Sequence, residues 1–197
     1  MSLFLIRHGQ SAANRATHAD ERNLVDTGDD SHLTRLGELQ SKRVGQTLAR
    51  LTKNNPDVPT IHCSPLVRAE QTAHVIHQYL PHARVETHTA LREIEVRDGD
   101  VSAAVKSARA DLNGIVSHIK QNFQEPLVCI AHEWVMQVLM QSLLGCPKCD
   151  IWFRFANCSL TEFEVDRCIR SDGRFHDGLS LASLNDVTHL DNDQITF

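Results

Sequence analysis

Residues 3–9 read Leu3-Phe4-Leu5-Ile6-Arg7-His8-Gly9, an apolar run that leads directly into a guanidinium, an imidazole and a glycine. A short continuous apolar run is the pattern of a strand buried on both faces. Open α/β sheets bind ligands at the carboxyl ends of such strands, which is where Arg7 and His8 fall. A neutral imidazole is a good nucleophile near pH 7, and an adjacent guanidinium can hold an anionic group for it to attack. This stretch predicts an α/β protein whose histidine accepts a phosphoryl group.

Outward from it, apolar strand runs alternate with helical periodicities, which argues for a mostly parallel sheet. A polar loop is expected from the first strand through Asp30. Leu36, Leu39, Val44, Leu48 and Leu51 then recur at helical spacing, with Thr34 a candidate N-cap. Thr60–Cys63 reads as a strand, and Ser64-Pro65 as a helix start, with that helix running to about Leu80. A strand near 84–88 precedes a long amphipathic helix over 101–121, with Val101, Val105, Ala108, Leu112, Ile115 and Ile119 on one face. Leu127–Ile130 is another buried strand, followed by a buried helix over about 134–144 that Gly145 closes. Residues 160–167 and 174–184 are expected to pair as a hairpin about Asp172-Gly173. All 197 residues read as one domain, with a short cap (about 92–108) and a C-terminal hairpin and tail (about 160–197).

Composition narrows the function classes. A net charge of −5 gives no reason to expect nucleic acid as a partner. No window approaches the ~20 apolar residues of a membrane span, and the N-terminus reads as a strand rather than an export signal. The six cysteines are scattered, so they are expected as reduced thiols in a cytoplasmic protein. Cys146-Pro147-Lys148-Cys149 is a single CxxC without a second ligand pair, and reads as a loop carrying two thiols. Among the twelve histidines, His62, His74, His77, His82, His88 and His118 fall in no evident constellation and read as surface or core residues. Nothing in the sequence assigns an oligomeric state.

Several strand-end segments carry residue types suited to phosphate: Arg7-His8-Gly9 followed by Asn14, Ser64–Arg68, Leu91-Arg92-Glu93, and Ala131-His132. In one parallel sheet they converge on one rim. Phosphoryl transfer spreads charge over the equatorial oxygens, so catalysis is mostly positioning and charge neutralisation. Arg7 and Arg68 supply rigid forks of donors, and His132 a further donor at a helix N-terminus. His8 attacks phosphorus, and Glu93 is placed to protonate the leaving oxygen. Two arginines and one or two imidazolium groups neutralise the charge, so no metal and no cofactor is expected.

At this point the chain resembles a known family. Leu5-Ile6-Arg7-His8-Gly9-Gln10-Ser11-Ala12-Ala13-Asn14 is similar to the signature of the histidine phosphatase superfamily, the phosphoglycerate mutase-like proteins. Leu33–Gln40, Cys63–Ala73, Leu91-Arg92-Glu93, Val128–His132 and Asn157–Leu160 resemble its later blocks, in order. The resemblance implies a three-layer α/β/α sandwich and a phosphorylated His8. It implies a pocket of Arg7, Gly9, Asn14, Arg68 and His132, with Glu93 as proton donor. The substrate implied is a phosphorylated small molecule or a phosphoprotein.

Two departures refine the expectation. The family usually has glycines after the second histidine, whereas Glu133-Trp134 follows His132. Glu133 brings negative charge toward an anion site unless it turns away, pairs with an arginine or is protonated. The segment between Glu93 and Arg109 is too short for a mutase-type insertion, placing the chain with the short-cap phosphatase branch. An open site admits water and favours hydrolysis over mutase-type transfer. The third reading is a non-catalytic phosphate-binding or scaffold protein, for which Glu133 is the support.

Overall fold

The computed structural model describes residues 2–17, 30–53, 59–96, 99–121, 126–146, 151–169 and 174–197. In chain order it has β1 (Ser2–Arg7), α1 (Ala12–Thr17), α2 (Arg35–Leu51), β2 (Thr60–Cys63), α3 (Val67–His77), β3 (Arg84–Thr87), a 3-10 turn (Thr89–Leu91), α4 (Val101–Gln121), β4 (Leu127–Ala131), α5 (Glu133–Leu143), β5 (Leu160–Ile169) and β6 (Phe175–Asp186). A second 3-10 turn, Asn192–Gln194, lies in the tail.

The strands form one sheet in the order β3-β2-β4-β1-β5-β6. The first four run parallel, β5 lies antiparallel to β1, and β6 antiparallel to β5. The sheet is thus mixed but mostly parallel. The expected hairpin is present as a direct extension of this sheet; its Asp172-Gly173 turn lies outside the described residues.

Alternation along β1 and β4 separates two cores. Leu3, Leu5, Leu127, Cys129 and Ala131 pack with α4 and α5. Phe4, Ile6, Val128 and Ile130 pack on the opposite face with α2 and α3. Helices on both faces give the three expected layers. Because β1 and β4 are neighbours, Arg7 lies in register with Ala131. Their ends therefore deliver His8 and His132 side by side.

Several element readings are corrected. The polar loop after β1 begins with the short helix α1. The helix after Ser64 starts just beyond its Ser-Pro signal: it spans Val67–His77, with Leu66 as N-cap. The buried face of α2 is Gly37, Gln40, Ser41, Val44, Gly45 and Leu48, while Leu39 and Leu51 are exposed. The first turns of α4, which runs continuously over Val101–Gln121, fall within the expected cap (about 92–108). Thr34 does cap α2, accepting the Gly37 N–H at 3.1 Å.

Candidate active site

His8 follows β1 and is buried. Its Nδ1 lies 2.8 Å from the Gly9 carbonyl, and Arg68 Nε donates to its Nε2 at 3.1 Å. A carbonyl facing one nitrogen and an N–H donor facing the other select the Nδ1–H tautomer. The lone pair is then on Nε2, beside a guanidinium. Burial, with the charges of Arg68 and Arg7, holds the His8 pKa well below 6.5. His8 is therefore a free base at neutral pH.

Arg68 is fully buried on the first turn of α3. His132 is also fully buried, with its ring centroid 4.9 Å from that of His8. Its Nε2 lies 2.8 Å from Ser64 Oγ. Ser64 Oγ also accepts the Leu66 N–H at 3.2 Å. His132 Nδ1 is buried without a hydrogen-bond partner among the described residues. Burial and the charges of His8, Arg68, Arg7 and Arg92 push the His132 pKa well down. This corrects the expectation of imidazolium groups: the resident cations are arginines, and both imidazoles are neutral near pH 7.

Arg7 is buried, and its Nη1 donates to the Phe155 carbonyl at 2.7 Å. The same nitrogen pairs with Glu133 Oε2 at 3.1 Å. Of the outcomes open to Glu133, the chain adopts pairing, and with the pocket's own arginine. Glu133 is also in the first turn of α5, where the helix dipole favours an anion.

Two expected ligand-binding residues have visible structural tasks. The Gly9 N–H donates to Thr72 Oγ1 at 3.0 Å, so it is engaged within the fold. A Cβ at Gly9 would lie 2.5 Å from the Gly37 carbonyl oxygen, which explains the glycine. Asn14 Oδ1 accepts from Ser11 N and Oγ at 3.1 and 3.0 Å. Glu93 lies just after the first 3-10 turn, half-buried, and its Oε1 accepts the Ile94 N–H at 2.9 Å. It lines a cavity of about 490 Å³ between this loop and α4.

Sequence reasoning missed the residues that hold these groups in place. Ser64, read as a helix cap, is the partner of His132. Asn157 Nδ2 donates to the His8 carbonyl at 3.0 Å, and Thr196 Oγ1 donates to Asn157 Oδ1 at 3.0 Å. Cys158, at φ 54°, donates its N–H to the Arg7 carbonyl at 3.0 Å. The Asn157–Leu160 block was the only signal pointing to this support. Trp134 packs edge-on to Trp152 with centroids 5.3 Å apart, and Trp152 and Ile151 are exposed. The Cys146–Cys149 loop is described only as far as Cys146.

Residues 3–111 match the sequence model of the histidine phosphatase superfamily (branch 1). The chain is 27% identical to the serine/threonine-protein phosphatase Pgam5, mitochondrial, of Caenorhabditis briggsae, over 100% of this chain and 66% of that one. Its Caenorhabditis elegans counterpart is 28% identical with the same coverage, so the chain spans 66% of the length of these curated relatives. Among solved structures, the Entamoeba histolytica phosphoserine phosphatase in complex with 3-phosphoglyceric acid superposes with a TM-score of 0.65 at 23% identity, covering 95% of this chain and 98% of that one. A mycobacterial glucosyl-3-phosphoglycerate phosphatase complexed with VO3 gives 0.65 at 18% identity, over 93% and 98%. These similarities show the phosphoglycerate mutase-like fold. Among the described residues, no helix is long and apolar enough to cross a membrane.

Proposed function

Because the chain belongs to the histidine phosphatase superfamily, branch 1, we propose that it is a metal-independent phosphatase that forms a phosphohistidine on His8. The carrying observation is the pair of contacts on His8, with Gly9 holding Nδ1 and Arg68 facing the nucleophilic Nε2. The Nε2 lone pair attacks phosphorus while the bond from phosphorus to the leaving oxygen breaks. Glu93 gives its proton to that oxygen. Water then attacks the phosphohistidine, Glu93 takes back a proton, and the N–P electron pair returns to Nε2. Arg7 and Arg68 neutralise the equatorial oxygens, and the Nδ1–H of His132 donates to one of them. Asn14 and Gly9 hold the loop that carries His8.

The substrate is a phosphomonoester, with a phosphorylated protein side chain the favoured form. Trp134 and Trp152 form an aromatic surface two residues beyond His132, which suits a bulky leaving group. The curated relatives are protein phosphatases by name, in keeping with this. We place the activity in the cytoplasm, where the thiols of Cys63, Cys129 and Cys158 stay reduced. A second reading, phosphate binding without turnover, is favoured by the Glu133 contact on Arg7.

A rapid quench with a fluorogenic phosphate ester, followed by intact mass at neutral to alkaline pH, separates the two. Wild type is expected to gain one phosphoryl group and release phosphate. His8→Ala is expected to do neither while keeping its circular dichroism spectrum. Substantial turnover by His8→Ala would remove the nucleophile assignment; no label and no release by wild type across esters and phosphopeptides would favour the binding reading.

A further inference from the structure

Three residues that the sequence left unassigned meet at the edge of the sheet. His62 in β2 lies in register with Glu86 in β3. His88, just past β3, donates its backbone N–H to the Cys63 carbonyl at 2.9 Å. Ile61 and Cys63 point into the core beneath α2 and α3, so His62, Glu86 and His88 lie on the opposite face, under α4. His62 Nδ1 and His88 Nε2 are in direct contact. Glu86 Oε2 lies 3.7 Å from the first and 3.5 Å from the second. All three donor atoms fall within 4.8 Å of one another.

We propose that His62, Glu86 and His88 form a binding site for a divalent transition cation of the zinc type, separate from the phosphoryl-transfer pocket. Zinc takes imidazole nitrogen and carboxylate oxygen at ~2.0–2.2 Å, which sets neighbouring vertices of a tetrahedron roughly 3.3–3.6 Å apart. Both contacts of Glu86 are close to that edge length, and a small opening of the imidazole pair completes the triangle. Two imidazoles and one carboxylate suit zinc, and a harder donor set of oxygens would be needed for magnesium or calcium.

Burial differs along the triangle in a way that suits loading from solvent. The His62 side chain is 10% exposed, His88 35% and Glu86 50%. His62 thus forms the floor and Glu86 the mouth. His118 of α4 stands edge-on to His62 with centroids 6.1 Å apart. Its imidazole or a water is a candidate for the fourth position.

The position gives the site a task. His88 immediately precedes the 3-10 turn Thr89–Leu91 that leads into Arg92 and Glu93. A cation on β2, β3 and His88 clamps the strand ends from which that loop departs. This inference does not depend on the phosphatase reading, because its test reads binding.

The full chain, stripped with a chelator and desalted, is titrated with Zn(II) against a chromophoric competitor. Wild type is expected to bind one equivalent and to unfold at a higher temperature when loaded. Co(II) is expected to give visible d–d bands. Loss of an outer-shell partner weakens metal sites by roughly 10–100-fold, so His88→Ala and Glu86→Gln are expected to weaken binding by about 100-fold or more. Both are expected to melt like wild type in chelator, which shows that they fold. His118→Ala is expected to weaken binding less. No bound Zn(II) or Co(II) in wild type overturns the site. Equal binding by wild type and His88→Ala also overturns it, assigning the ion to other donors such as the Cys146–Cys149 thiols.

Discussion

At the scale of single residues, Glu133 governs how Arg7 meets an anion. Its carboxylate occupies one Arg7 nitrogen at 3.1 Å and is only partly exposed. An incoming phosphate must share or displace it. Glu133→Gln is therefore expected to tighten inorganic phosphate about tenfold, a 1.4 kcal/mol change, with the fold unaltered. Inhibition by phosphate or isothermal calorimetry reads this directly. Unchanged or weaker binding would show that Glu133 orients Arg7 rather than competing for it. The sequence made the charge conflict at Glu133 visible. It did not reveal the partner, because pairing with Arg7 depends on β1 and β4 lying side by side.

At the scale of elements, strands were the most legible feature. Their apolar runs are short and bounded, and β1, β2 and β4 lie within a residue of the expected limits. The helix faces were less so. Hydrophobic periodicity puts Leu39 and Leu51 on the buried side of α2 with Val44 and Leu48, but only the latter two are buried there, beside Gly37, Gln40, Ser41 and Gly45. At Gly37 the helix meets the Gln10 backbone, a contact that selects glycine and leaves no apolar signal. A Cβ on Gly37 would lie 2.1 Å from the Gln10 carbonyl oxygen. Overpacking of this kind costs about 1–3 kcal/mol, against a gain of up to about 1 kcal/mol from alanine's helix propensity. Gly37→Ala is thus expected to destabilise the protein by about 1–2 kcal/mol and to slow turnover. Gly114→Ala in α4, whose Cβ meets nothing within 4 Å, is expected to stabilise by about 0.5–1 kcal/mol. Urea unfolding of the two variants tests the contrast. The histidines show the same limit: His62, His88 and His118 are far apart in sequence and meet only through sheet order and the packing of α4.

At the scale of the whole molecule, buried neutral histidines set the response to acid. His8, His132, His62 and His189 all have pKa values lowered chiefly by burial. Unfolded, each returns to about 6.5. Below that value the unfolded chain binds protons that the folded chain refuses, so acid favours unfolding. Stability is present in full above about pH 6.5 and falls as pH drops toward the folded values, by at most about 1.4 kcal/mol per pH unit for each group. Urea titrations in chelator at pH 7.5 and 5.5 are expected to show this loss, and His62→Gln to reduce it. A flat profile would mean that these rings ionise as readily in the fold as out of it.

The tail carries one more implication, in the order of synthesis. The carbonyl of His8 is held by Asn157, and Asn157 is held by Thr196. Gln40 of α2 also donates to the Gln194 carbonyl at 2.7 Å and to Thr196 Oγ1 at 2.9 Å. A chain emerging from the ribosome can bring β1, β2 and β4 together early, yet the His8 carbonyl lacks this buttress until Asn157 and Thr196 have followed.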